Sequence, residues 1–227
     1  MRTLIIIAHP ELESSNLQPF FKAAVENYSD VNWHPLSTDF DIEQEQKLLL
    51  AQDRIIFEFP LYWYSAPAIL KQWMDSVMTT KFVTGNRYAL SGKELGLVVS
   101  TGDAESSFQA GATEKFTMSE LMRPFEAFAN KTRMKYLPLL TIHQFLYLNP
   151  DEQQRLLVNY QQYITNPRLD HFKDQESWFE NELQNRIEAT DPHAAELQQI
   201  LDTIKNRQDE LDDLQWNLSE MKKEEDS

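Results

Sequence analysis

Apolar and polar positions alternate along the first two thirds of the chain in a regular order. Leu4 to Ala8 is an unbroken apolar run, and Arg54-Ile55-Ile56-Phe57-Glu58-Phe59 is nearly one. Leu95, Leu97, Val98 and Val99 make a third within Glu94 to Ser100, and Met134 to Ile142 a fourth. Such short continuous runs predict strands buried on both faces. Val31-Asn32-Trp33-His34-Pro35-Leu36 reads as a short edge strand, where proline is tolerated. The segments between have helical spacing. Asn16 to Tyr28 puts Leu17, Phe20, Phe21, Ala24 and Val25 on one side, and Ile42 to Gln52 and residues 66–77 follow. Met118 to Lys131 turns Leu121, Met122, Phe125, Phe128 and Ala129 inward, and Asp151 to Ile164 closes the series with Pro150 at its first turn. Strand and helix in alternation predict an α/β fold, a doubly wound, five-stranded parallel sheet of order 2-1-3-4-5. A ligand is expected where strands 1 and 3 diverge.

The pattern changes after residue 165. Leu197, Ile200, Ile204, Leu211, Leu214, Leu218 and Met221 repeat at heptad spacing, with Arg207 at the one seam position that is not apolar. The chain therefore divides into a domain over 1–165 and a helical extension over 166–227, with a heptad segment at about 194–222. The heptad allows two readings, a coiled-coil strand or a single amphipathic helix.

Charge sharpens that division. The net charge is −15, and residues 166–227 carry two thirds of the excess, with 7 basic against 17 acidic side chains. An acidic chain is not expected to bind nucleic acid or anionic membranes. No apolar run approaches the ~18 residues of a membrane span, so no membrane insertion is expected. The apolar stretch near the N-terminus is too short for a signal peptide and reads as the first strand. With no cysteine there is no disulfide, thiolate nucleophile or thiolate metal site. The five histidines have no ligand spacing, so no metal is expected. The expected location is the cytoplasm.

Three predicted strand ends carry candidate chemistry. After the first stands Ala8-His9-Pro10-Glu11-Leu12-Glu13-Ser14-Ser15-Asn16-Leu17-Gln18. Hydroxyls and an amide at a helix start suit a phosphate, and they equally suit ordinary N-capping. After the third stands Phe59-Pro60-Leu61-Tyr62-Trp63-Tyr64-Ser65-Ala66-Pro67-Ala68. Three adjacent rings on a surface turn either plug their own core or meet a flat ligand. After the fourth stands Ser100-Thr101-Gly102-Asp103, where backbone N–H groups can meet the polar edge of a ring and glycine permits close approach.

Together these loops resemble the flavodoxin-like NAD(P)H:quinone oxidoreductases. The resemblance rests on His-Pro-x-Leu-x-x-Ser, on Phe-Pro-Leu-Tyr-Trp-Tyr-Ser-x-Pro-Ala, on Arg123-Pro124-Phe125-Glu126-Ala127 and on Tyr136-Leu137-Pro138. Glu105-Ser106-x-Phe108-x-x-Gly111-Ala112 is most similar to the ancillary oxidoreductase subunit of glutathione-gated potassium efflux systems. The similarity covers roughly residues 2–164. It implies a homodimer binding FMN in preference to FAD, with NADPH or NADH as co-substrate and a quinone or similar small electron acceptor. It implies that His9, Ser15, Asn16, Leu17 and Gln18 hold the phosphate and ribityl chain. Pro60, Leu61, Tyr62, Trp63 and Tyr64 would line the isoalloxazine, and Ser100, Thr101, Gly102 and Asp103 would meet its pyrimidine edge. Hydride would pass in two ping-pong steps, from nicotinamide to flavin and then to the acceptor.

The chain departs from that pattern at identifiable places. Asp103 stands where the family usually has a second glycine, Gln18 where it has asparagine, and Phe108 at the position of a proton-donating tyrosine. No catalytic acid is assigned. A second reading therefore accompanies the first: an ancillary or regulatory subunit acting mainly through protein contacts, with the acidic C-terminal helix as its partner surface.

Overall fold

The computed structural model describes residues 1–227 except 86, 87, 170, 190, 226 and 227. The elements of the first part run β1 (Thr3–Ile7), α1 (Leu17–Val25), β2 (Val31–Pro35), α2 (Ile42–Leu50), β3 (Arg54–Pro60) and α3 (Ala68–Val77). A short α4 (Thr80–Val83) precedes β4 (Glu94–Thr101), and α5 (Met118–Leu121) and α6 (Arg123–Thr132) follow it. Then come β5 (Lys135–Tyr136), β6 (Leu140–His143) and α7 (Pro150–Thr165). The strands are all parallel, in the order β2-β1-β3-β4, with β5 and β6 both paired to β4. This is the predicted doubly wound sheet with its fifth strand broken in two.

Alternation along the strands divides the core. Leu4, Ile6, Ile55, Phe57, Phe59, Leu95, Leu97 and Val99 face one layer and pack with Leu49, Leu70, Trp73, Met122, Phe125 and Ala129 of the helices. The opposite face is closed by α1 and α7, where Phe21 stacks on Tyr160 at 3.8 Å between ring centroids. That face buries charge as well. Arg54 is fully buried, with its Nε donating to Glu94 at 2.7 Å and an Nη to the Tyr163 carbonyl at 2.5 Å. Its Nη2 lies 2.6 Å from the same Glu94 carboxylate, so the buried charge keeps its counter-ion.

The break in the last strand has a local cause. Register with β4 shifts by one residue between the Leu95–Tyr136 pair and the Val98–Leu140 pair, so Leu137, Pro138 and Leu139 oppose two residues of β4. That is a bulge, and Pro138, which has no N–H to give, sits within it. Tyr163 fills the gap. Its hydroxyl accepts the Leu97 N–H at 3.0 Å and donates to the Pro138 carbonyl at 2.8 Å. Gly96 makes room for the ring, since a Cβ there would lie 2.6 Å from the same hydroxyl. The helix predicted over 118–131 is likewise divided, at Met122, where Pro124 opens the first turn of α6.

Residues Arg168–Ser227 form a second compact unit, separate from Met1–Pro167. It holds α8 (Phe172–Glu188) and α9 (Ala194–Glu225), where the sequence pattern predicts one undivided helical extension. The two pack together through buried Trp178, Leu183 and Leu201 and half-buried Leu197 and Ile204. The heptad seam is thus only partly used. α8 takes the 197/201/204 line, whereas Ile200, Leu211, Leu214, Leu218 and Met221 are 47–59% exposed. At 1.5 Å per residue α8 is about 25 Å long and α9 about 48 Å, so α9 outruns its partner. No helix among the described residues is long and apolar enough to cross a membrane.

Candidate functional site

The carboxyl ends of β1, β3, β4 and β6 converge on one cleft of about 340 Å³. His9, Ser14, Ser15, Asn16 and Leu17 form one end. Pro60, Leu61 and Tyr62 form a second wall, and Ser100, Thr101 and Gly102 a third. No charged side chain lines it.

At the β1 end, α1 starts at Leu17 without a side-chain cap from Asn16. Ser15 Oγ accepts the Gln18 N–H at 3.2 Å, and Ser14 Oγ donates to the Glu11 carbonyl at 3.0 Å. One hydroxyl therefore caps as expected, while the Asn16 side chain is left for a ligand. Burial holds the His9 imidazole below its ordinary value, against the pull of Glu11. Its Nδ1 accepts the Glu11 N–H at 3.2 Å, which puts the hydrogen of the neutral ring on Nε2 as a donor. Neutral donors and a helix N-terminus are a sufficient set for an anionic group.

The β3 end is strained. Tyr62 and Ser65 exchange two backbone hydrogen bonds at 2.9 and 3.0 Å, closing a two-residue turn. Its central residues are Trp63 at φ 46° and Tyr64 at φ 63°. Turns of this kind favour Asn-Gly, and placing bulky rings there costs roughly 1–2 kcal/mol per residue. Trp63 is 92% exposed, so packing does not repay the strain. Such strain concentrates at functional sites. Tyr64 Oη donates to the Glu114 carboxylate at 2.8 Å, which ties the turn to the loop after β4 and raises the Tyr64 phenol above its ordinary value.

The β4 end holds Gly102. It has an ordinary φ, and a Cβ added there would meet nothing within 4 Å. Neither backbone conformation nor protein packing calls for glycine at this position, so the space it leaves is open to a ligand lying against the backbone. Asp103 is exposed beside it, with its N–H donated to Thr101 Oγ1 at 3.2 Å and its carbonyl 3.2 Å from His143 Nδ1. Phe108 is buried and packs near the His143 ring.

The cleft therefore takes in His9, Ser15, Asn16, Leu17, Pro60, Leu61, Tyr62, Ser100, Thr101 and Gly102 of the residues singled out by sequence. Trp63, Tyr64 and Asp103 stand outside its lining. Gln18 points into the core, where its Nε2 donates to Glu58 at 2.7 Å. A fourth wall was not anticipated: Gln144, Phe145, Leu146 and Tyr147, following β6. Gln144 has φ 48° and donates its N–H to the Thr101 carbonyl at 2.9 Å, while Leu146 and Tyr147 are 71% and 82% exposed. The signal was an apolar, aromatic triplet directly after the last strand, at the same edge as the other three loops.

A doubly wound parallel sheet with an uncharged cleft at the β1/β3 switch, bounded by a helix N-terminus and by rings, defines a flavodoxin-like protein. Residues 1–165 match the family described as having the flavodoxin-like fold, and the chain belongs to that family. It is 42% identical over 158 residues to a Bacillus subtilis protein named as an NAD(P)H oxidoreductase, YrkL, covering 67% of this chain and 91% of that one. It is 31% identical over 172 residues to the Pectobacterium atrosepticum glutathione-regulated potassium-efflux system ancillary protein KefG, covering 73% and 94%. Among solved structures, one described as an NADPH-quinone reductase from P. pentosaceus is 76% identical, with a TM-score of 0.73, covering 74% of this chain and all of that one. General stress protein 14 of Treponema denticola, solved in complex with FMN, is 30% identical with a TM-score of 0.64, covering 72% and 95%.

Proposed function

We propose that the chain is an FMN-dependent NAD(P)H:quinone oxidoreductase that works by two-electron, ping-pong hydride transfer. The observation that carries this reading is the cleft at the strand-order switch, where Gly102 leaves room that nothing in the protein fills. The name of the P. pentosaceus relative and the FMN bound by the Treponema protein support it. FMN fits the donor set better than FAD, because one helix N-terminus and a few neutral donors suit a single terminal phosphate. Bound there, FMN supplies the capacity to accept a hydride from a nicotinamide and release it to an acceptor.

The chain's own residues bind and orient. Ser15, Asn16 and the first N–H groups of α1 hold the phosphate, helped by the neutral His9 as an Nε2 donor. Leu61 and Tyr62 bound the ring on one side, and Ser100, Thr101 and Gly102 present backbone to its polar edge. Asp103 stands at the rim of that edge. Its carboxylate would oppose negative charge on a ring bound there and so would lower the reduction potential. The exposed Trp63 and Tyr64 make a platform for a flat nicotinamide or quinone.

A homodimer fits an apolar groove that starts at Ser65, just past the aromatic turn. It runs along Met74, Met78, Leu121, Phe125 and Phe128, with a volume of about 820 Å³. The absence of cysteine suits a cytoplasmic enzyme. Residues 1–165 form the FMN domain in this reading, and the acidic helices after them an appended element.

An absorption spectrum of the purified protein, before and after adding FMN and desalting, tests the reading. Retained flavin bands and oxidation of NADPH or NADH with a quinone acceptor are expected. Protein that keeps no flavin at micromolar FMN overturns it. A second reading, an ancillary subunit acting through contacts, is favoured by the exposed apolar stripe of α9. It requires full-length protein to bind a partner that a chain ending at Pro167 does not, with NAD(P)H oxidation weak or absent and no different between the two.

A further inference from the structure

Glu58 is a carboxylate on the central strand of the sheet, 1% exposed, that the proposed reaction does not use. Its side chain lies on the α1/α7 face. Oε1 accepts from Gln18 Nε2 of α1 and Oε2 accepts from Tyr160 Oη of α7, both at 2.7 Å. β1 and β4 flank it with apolar Ile7 and Val98 at the same register. The titratable group facing it is Tyr160, whose ionisation burial and Glu58 push far above the ordinary range, so it stays neutral. Gln18 is neutral as well. Burial raises the Glu58 carboxyl to about 7 in spite of the two hydrogen bonds. The Gln18 Oε1 has no hydrogen-bond partner.

Two hydrogen bonds link Glu58 to the β1–α1 end of the cleft, one through its side chain and one through its backbone. Gln18, which the Glu58 carboxylate holds, follows Leu17 of the cleft wall, and the Glu58 backbone carbonyl accepts the N–H of Ala8, the residue before His9, at 2.8 Å. We propose that Glu58 is a positioning residue that locks α1 in place through Gln18 and whose charge sets how tightly the α1 end of the cleft holds a phosphate. The inference rests on the FMN reading above. With Glu58 ionised, a buried anion faces the phosphate through low-dielectric protein and weakens its binding. With Glu58 protonated that repulsion is gone. Its proton then donates to Gln18 Oε1 once the amide turns over, so the contact persists without the charge. Linkage makes the effect reciprocal: FMN binding draws a proton onto Glu58.

Dissociation constants for FMN and for riboflavin, which lacks the phosphate, measured by flavin fluorescence from pH 5.5 to 8.5, test this in the full chain. Glu58→Gln removes the charge and still reaches both neighbours, one contact through its carbonyl oxygen as acceptor and the other through its amide nitrogen as donor. FMN is expected to bind Glu58→Gln roughly three- to tenfold more tightly than wild type at pH 8.5 and equally at pH 5.5, on the order of one charge acting across the site at intermediate dielectric. Riboflavin should show no such divergence. The phosphate's own second ionisation, near about pH 6, is common to both proteins. Tyr160→Phe removes a donor to the ionised form and should move the wild-type midpoint upward. A Glu58→Gln affinity ratio that is constant with pH, or the same for riboflavin, overturns the inference and leaves only a packing role. Wild type that binds neither flavin overturns the cofactor reading, and this inference with it.

Discussion

At the scale of single residues, the site concentrates conformations and charges that folding alone disfavours. Trp63 and Tyr64 occupy left-handed backbone with little packing in return. Replacing Trp63 by asparagine, which tolerates that region, is expected to stabilise the flavin-free protein by about 0.5–1 kcal/mol in urea unfolding. The same change should raise KM for nicotinamide or acceptor, and lower stability would show that the ring is packed rather than strained. Glu58 gives a pH signature. Its folded value near 7 lies above the ordinary 4.5, so its neutral form is the one the fold prefers. Its contribution to stability is complete below pH 4.5 and is lost as pH rises to about 7, by roughly 3 kcal/mol. Relative to wild type, Glu58→Gln should gain stability between pH 5 and pH 8, read by denaturant titration at both. The cleft residues after β1, β3 and β4 were legible because they directly follow strands that the apolar pattern predicts. The turning of Gln18 into the core was not, because a buried acid 40 positions away decides which way its amide points.

At the scale of elements, apolar periodicity located every strand of the sheet but not the interruption of the last. Met134 to Ile142 reads as one run because the bulge at Leu137–Leu139 is apolar too. What closes the gap is Tyr163, on a helix more than twenty residues further on. Tyr163→Phe leaves the buried Leu97 N–H without its partner and should cost about 1–3 kcal/mol. Gly96→Ala should cost a similar amount by overpacking, since the added Cβ lies 2.5 Å from Ile56 Cδ1 and 2.6 Å from Tyr163 Oη. Thermal unfolding of both variants checks this. An unchanged midpoint for Gly96→Ala would mean that the strand and ring can separate at little cost. The sequence pattern does not single out α8 although Phe179, Leu183 and Ile187 follow one another at steps of four, because seven acidic or basic neighbours dilute the signal along its 17 residues.

At the scale of the whole molecule, the chain divides after Pro167 into two compact units. The first has its own two-layered core and accounts for the whole family match. A chain ending at Pro167 is therefore expected to keep cooperative unfolding, with stability within about 0.5 kcal/mol of the full chain by circular dichroism, and to keep its flavin. A larger loss would give the acidic helices a structural duty toward the sheet. By itself the sequence determined the element order, the parallel sheet, the edge at which the cleft opens and three of the loops that line it. Those follow from periodicity and chain direction, which are local properties. Only the tertiary structure decided that Gln144 to Tyr147 complete the cleft, that Gln18 serves Glu58, and that α8 covers just part of the α9 stripe. Each of those depends on which surfaces meet across long sequence separations, where one buried hydrogen bond or one covered apolar line selects among arrangements that the local pattern leaves equal.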